Sequence, residues 1–303
     1  MSDYFSDREN GPVPRVDQSI SPVVWAGVVA LVHSLVRRGA FAVRFPELCP
    51  DGNMPCGVDE NALAASVRAE IPGFIWPLKM YQDAADGYSD PVPFAPDPLM
   101  VLDFVEFVHA NVAMPIVREH HSYYRHNHFS FNEEEGQVEF VSAVNRLFAR
   151  NGVAYELMRN GHVKRVLPPV IGEAIARFSL RTGDLILDNM LSESCAKFTD
   201  PNPLIRREGL ERLWDGWERL KCLADAENKR KSIAVILNRA SSETVFRGVL
   251  EAEAKALTDI GNSHLIRHSE PTQTPVVDTD HVDYLFHRMF ALIQLLIQKN
   301  RPV

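Results

Sequence analysis

Two short stretches concentrate the residues able to do chemistry. The first runs Arg118-Glu119-His120-His121-Ser122-Tyr123-Tyr124-Arg125-His126-Asn127-His128 and places four imidazoles within nine residues. Imidazole suits zinc, copper, iron and nickel, and the spacing His126-x-His128 fits a strand or an extended loop. A carboxylate or thiolate partner at helical spacing is missing, as is HExxH. The expectation is therefore no bound metal and no other cofactor. His120, His121, His126 and His128 stand as the weaker, metal-binding alternative to a hydrogen-bonding role in an irregular segment.

The second stretch is Gly261 to Glu270, where Asn262, His264, Arg267, His268 and Glu270 follow a helical pattern that Gly261 is expected to end. Arginine neutralises a phosphate and histidine exchanges protons near neutral pH, the minimum for metal-free RNA cleavage. A hydrogen-bond network between helices uses the same residue types. Lys229-Arg230-Lys231 is the candidate RNA contact, set against a solvated helix surface. No GxxxxGK[ST], no GxGxxG after a strand and no GxSxG occurs, so P-loop, dinucleotide and α/β-hydrolase chemistry are unsupported.

The elements that must position these groups are mostly helices. Ser21-Pro22 opens the first and Gly39 stops it; Ala40–Phe45 reads as a short strand and Pro46–Val58 as a Pro- and Gly-rich loop. Leu63, Val67 and Ile71 mark a short helix. Asp97-Pro98 opens another, with Val101, Phe104, Val105, Val108 and Val112 on one face. Phe140, Val141, Val144, Leu147 and Phe148 line a helix closed by Asn151-Gly152. Arg159-Asn160-Gly161 then joins two short strands in a type I′ hairpin. Past Pro168-Pro169 everything reads as helix. Leu210, Leu213, Trp214, Trp217 and Leu220 form one apolar face, and Val245, Phe246, Val249, Leu250 and Leu257 a second. A third runs from Val282 through Ile297.

The fold class is thus mainly α: a helical N-terminal domain with a small β-hairpin at 19–168, then a helical bundle at 169–303, with residues 1–18 expected to lack fixed structure. Residues 1–19 are polar rather than signal-like. The apolar run 22–36 is shorter than the ~20 residues that span a bilayer, so a cytoplasmic protein with no membrane partner is expected. Four cysteines (Cys49, Cys56, Cys195, Cys222) without a CxxC pair read as reduced thiols rather than a thiolate zinc site. The net charge of −8 argues against non-specific nucleic-acid coating. It is uneven, with 14 Lys and Arg against 21 Asp and Glu up to Pro168 and 18 against 19 beyond it. The second half is therefore the better candidate to meet an anionic partner. Burying the final apolar stripe contributes on the order of 2 kcal/mol per large side chain. One flanking helix does not cover it, and a homodimer through the C-terminal half is expected.

The phrases AMPI…HHSYYRHNHFSF and VNRLFARNGVAYEL resemble the N-terminal region of AbiJ-type abortive-infection proteins. NPLIRREGLERLWDGWERLK and IGNSHLIRHSE…DHVDYLFHRMFALIQLL are similar to the helical half behind it. The resemblance runs from about Pro98 to the C-terminus and matches the first ninety residues loosely. It implies a role in bacterial defence against phage, as a sensing or interaction module with a HEPN-like bundle and an RNA or a phage or host protein as partner. The alternative it implies is a metal-free HEPN-type ribonuclease, whose Arg-x₄₋₆-His spacing occurs at no histidine here. The nearest arrangement is Asn262-x₅-His268 with Arg267 adjacent, which would make Arg267 and His268 central.

Overall fold

The chain divides into two units, Met1–Val166 and Leu167–Val303. The computed structural model describes residues 4–84, 88–177, 182–264, 266 and 274–300. Among them are eleven helices and four two-stranded antiparallel sheets. No helix of the described residues is long and apolar enough to cross a membrane.

The first unit runs α1 (Phe5–Asn10), α2 (Pro22–Arg37), β1 (Pro46–Leu48), β2 (Pro55–Val58), α3 (Glu60–Glu70), β3 (Tyr81–Gln82), β4 (Val92–Pro93) and α4 (Pro98–Asn111). After these come β5 (Met114–His121), β6 (His126–Asn132), α5 (Glu133–Arg150), β7 (Tyr155–Leu157) and β8 (Val163–Arg165). Helix starts follow their caps: Ser21 accepts from Val24 N, Asp59 from Asn61 N and Ala62 N, and Asp97 from Leu99 N. The core joins Trp25, Val28 and Val32 of α2 to Val101, Phe104 and Val108 of α4 and Phe140, Val144 and Phe148 of α5, all buried. Phe74 stacks on Phe104 with centroids 4.6 Å apart.

Four local expectations need correction here. Ala40–Phe45 is a run of turns, with Ala42 N donating to Gly39 O (3.0 Å) and Phe45 N to Phe41 O (2.9 Å). Gly39, at φ 82°, folds the chain back so that Ala40, Phe41 and Ala42 are all buried, which alternating strand faces would not allow. Pro46–Val58 is a hairpin rather than a loop. The β7–β8 turn has positive φ only at Gly161 (88°), so it is not the type I′ form, which needs two such residues. Residues 5–18, expected to lack structure, include α1 and a strand-like tether. Asp17 N donates to Gly152 O, Ala154 N donates to Asp17 O, and the Arg15 guanidinium donates to the carbonyls of Val153 and Tyr155. An arginine fork that satisfies two carbonyls holds a polar segment that composition alone marks as loose.

The second unit is α6 (Pro169–Arg177), α7 (Leu185–Phe198), α8 (Pro203–Leu220), α9 (Lys229–Ala240), α10 (Thr244–Ser263) and α11 (Thr279–Lys299). Asp184 caps α7 through Leu187 N and receives a two-pronged bond from Arg219 of α8 (2.6 and 2.7 Å). Arg288 of α11 grips Glu253 of α10 in the same way, at 2.6 and 2.8 Å. Phe198 and Phe286 stack at 3.7 Å. The stripe of α11 is buried throughout, with α8 and α9 against it, so the ground given for a dimer is met inside the unit.

Helix α10 departs from its expected face. Leu250, Ala254, Leu257 and Gly261 point inward, while Val245, Phe246 and Val249 are 76%, 50% and 56% exposed. Gly261 does not end the helix; it seats the indole of Trp214, and a Cβ there would lie 1.9 Å from Trp214 Nε1. That seat fixes the rotation of α10. Gly248, on the same helix, has open space around it. Gly261→Ala should therefore destabilise the second unit by about 1–3 kcal/mol through overpacking. Gly248→Ala should stabilise it by about 0.5–1 kcal/mol through lower chain entropy. Urea unfolding followed by tryptophan fluorescence and far-ultraviolet circular dichroism checks both, and shifts of the same sign would contradict this packing.

Candidate functional site

The histidine-rich stretch is an ordered hairpin. In β5–β6, His121 pairs with His126 and His120 with Asn127, and the register shifts between Val117 and His120. Arg125 takes φ 54° at the tip. Strand alternation places His126 and His128 on one face, and the cross-strand partner His121 joins them. Their ring centroids are 5.3–5.6 Å apart. His120 stands apart: its Nδ1 meets Asn127 Oδ1 at 2.9 Å in an exposed position. The four histidines are therefore one trio and one surface residue.

The β1–β2 hairpin packs on β6 and brings in a residue that sequence spacing did not connect. Cys49, directly after β1, is buried, and its Sγ lies with one ring nitrogen each of His126 and His128 in a set whose members are within 4.8 Å of one another. Its backbone is pinned, since Cys49 N donates to Met54 O (2.9 Å) and Cys49 O accepts from Gly52 N (3.1 Å). His128 Nδ1 is 3.0 Å from Glu119 Oε1, while the Nε2 atoms of His126 and His128 are buried without a hydrogen-bond partner. Beside the trio, His121 Nε2 meets Asp51 Oδ2 at 3.2 Å, and Tyr124 Oη donates to Asp51 Oδ1 at 3.2 Å. Cys56 in the same hairpin donates to Glu47 O. Its thiol is pushed up by burial and by the nearby Glu47 and Cys49, which disfavours the thiolate. Cys195, in α7, is pushed up to about 12 by burial alone and is an inert thiol.

The second sequence cluster is only partly placed. Asn262 lies in the last turn of α10. His264 follows as its C-cap, with Nδ1 3.2 Å from Ile260 O and its backbone bridged to Thr274. Arg267, His268 and Glu270 lie outside the described residues.

Lys229, Arg230 and Lys231 form the first turn of α9, where the helix dipole disfavours cations. Carboxylates offset two of them: Lys229 pairs with Glu218, and Lys231 with Asp225 at 2.9 Å. Burial would raise the Glu218 carboxyl, but hydrogen bonds from Lys221 and Lys229 outweigh it and hold that group below its ordinary value. A cavity of about 690 Å³ opens beside this clamp, lined by Trp217, Lys221, Lys229, Arg230, Lys255 and Asp259 among others.

Against known families, AbiJ N-terminal domain 4 matches residues 3–178, more than half the chain. The chain belongs to the AbiJ N-terminal domain 4 family. No curated protein and no solved structure matches it. The AbiJ match takes in the first ninety residues, which resemblance had left loose, and contains every residue of the Cys49–His126–His128 set. Membership associates the chain with abortive-infection defence.

Within this AbiJ-type protein the Glu218 clamp has a measurable consequence. Removing one partner of a buried ion pair costs about 3–5 kcal/mol. Glutamine keeps an acceptor, so Glu218→Gln should cost about 2–3 kcal/mol. The folded-state carboxyl is depressed, so its contribution is present above the unfolded value of about 4.3 and is lost as pH falls through the lower folded value. Urea melts between pH 7 and pH 3 should show the wild type losing its advantage over Glu218→Gln only toward the acid end. An advantage that does not change with pH would contradict the clamp.

Proposed function

We propose that the protein acts in abortive-infection defence as a sensing or interaction module, with a HEPN-like C-terminal bundle that pairs with a second copy of itself. One observation carries this reading: the exposed apolar side chains in the first turns of α10, Val245, Phe246 and Val249, which their own unit leaves uncovered. Adjacent apolar side chains left exposed on a helix that otherwise buries its apolar face favour a contact surface. The state of the basic run agrees, because Lys229 and Lys231 already hold carboxylates and offer little to a phosphate backbone. A bundle of six helices with no strand among its described residues is consistent with the HEPN-like assignment.

The test joins assembly to defence. Phe246→Glu should weaken self-association by about 2 kcal/mol, roughly thirtyfold, when a single aromatic anchor is lost. Light scattering at graded concentration reads this shift, and the thermal melt of the unit should not change. The same variant should lose protection of a bacterial host in plaque assays, while total RNA stays intact with either form. RNA degradation by the purified wild type without added metal, abolished by His268→Ala, would replace this reading with the ribonuclease one.

A further inference from the structure

We propose that Cys49, His126 and His128 form a zinc site that clamps the β1–β2 hairpin onto β6 in the first unit. The donor set is one thiolate and two imidazoles, which matches the nitrogen and sulfur preference of Zn²⁺. Zn–S and Zn–N bonds of about 2.3 and 2.0–2.1 Å in a tetrahedron place ligand atoms roughly 3.3–3.6 Å apart. The three atoms already lie within 4.8 Å of one another, so side-chain adjustment alone closes the gap.

Two independent observations point to a cation. The Nε2 atoms of His126 and His128 are buried and have no hydrogen-bond partner, and His128 is only 5% exposed. Buried polar atoms are nearly always satisfied, so two bare ring nitrogens on residues that share a donor set with a buried sulfur are an address for a ligand. The second observation is orientation. Glu119 meets His128 Nδ1 at 3.0 Å, and because a carboxylate only accepts, the proton sits on Nδ1 and the Nε2 lone pair is left for a ligand. Carboxylate bonds to the far nitrogen of a ligand histidine are the usual outer support of metal centres. Three protein ligands leave the fourth position to water, beside the Asp51–His121 pair.

The set differs from the sequence-level alternative in a way that can be read. His120 drops out and Cys49 enters. Full-length protein stripped of metal by a chelator and titrated with Co²⁺ should bind one equivalent and show a thiolate-to-cobalt charge-transfer band with strong ligand-field absorption. Zn²⁺ should displace the cobalt and raise the melting temperature. Cys49→Ser should erase the charge-transfer band, and His128→Asn should weaken Zn²⁺ binding at least a hundredfold in competition with a chromophoric chelator. Glu119→Gln should weaken it about tenfold, whereas His120→Ala should bind as the wild type does. Circular dichroism of each apo-protein separates lost ligation from lost folding. Wild-type protein that takes up no cobalt with thiolate character would overturn the site, as would binding that survives Cys49→Ser and His128→Asn together. Neither result touches the proposed contact surface of α10, which lies in the other unit.

Discussion

The register of β5 against β6 is the constraint on which the chemistry of the first unit depends. A side-chain period of two means that a slip of β6 by one residue would turn His126 and His128 away from His121 and leave Asn127 in their place. Two-stranded sheets are marginal alone, and the first unit contains four of them among its described residues. Each must take its stability from helices or from another hairpin. The β5–β6 pair is continuous at both ends with helical structure, since α4 leads into it and α5 leaves from Asn132, whose side chain caps Glu135 N. The bulge near Arg118 and Glu119 breaks the alternation once. Glu119 is then free to reach His128 from its own strand.

The second unit solves a different problem with paired charges and one close approach. Asp184–Arg219 and Glu253–Arg288 are two-pronged, so they fix orientation as well as distance. The seat of Trp214 on Gly261 admits no side chain and sets which face of α10 turns inward. Val245, Phe246 and Val249, in the first turns of the same helix, stay exposed. The two units thus carry physically separate features: a donor set between two hairpins in the first, and exposed apolar side chains on α10 in the second.

Much of this was legible in the residues. N-caps such as Ser21, Asp97 and Asn202, each followed by proline, mark helix starts that the structure keeps. The 3.6-residue spacing of α4, α5 and α11 identifies their buried faces, down to Phe286, Met289 and Ile293. What was not legible depends on tertiary contacts. Pro46–Val58 is too rich in Pro and Gly to read as a hairpin, so Cys49 carried no neighbour in sequence that would mark it as a ligand. Arg15 gives order to a polar segment through carbonyls more than 130 residues away, a pairing that composition cannot express. Gly261 read as a helix stop because glycine usually is one after a periodic run, and only the packed indole explains its place inside α10.

X-ray absorption at the zinc edge of reconstituted protein tests the central claim most directly. A Cys49, His126, His128 site predicts one sulfur at about 2.3 Å and imidazole nitrogens at about 2.0–2.1 Å, with the outer-shell scattering of histidine rings. A shell of oxygen and nitrogen without sulfur would contradict it, because Cys49 is what joins the two hairpins at the metal.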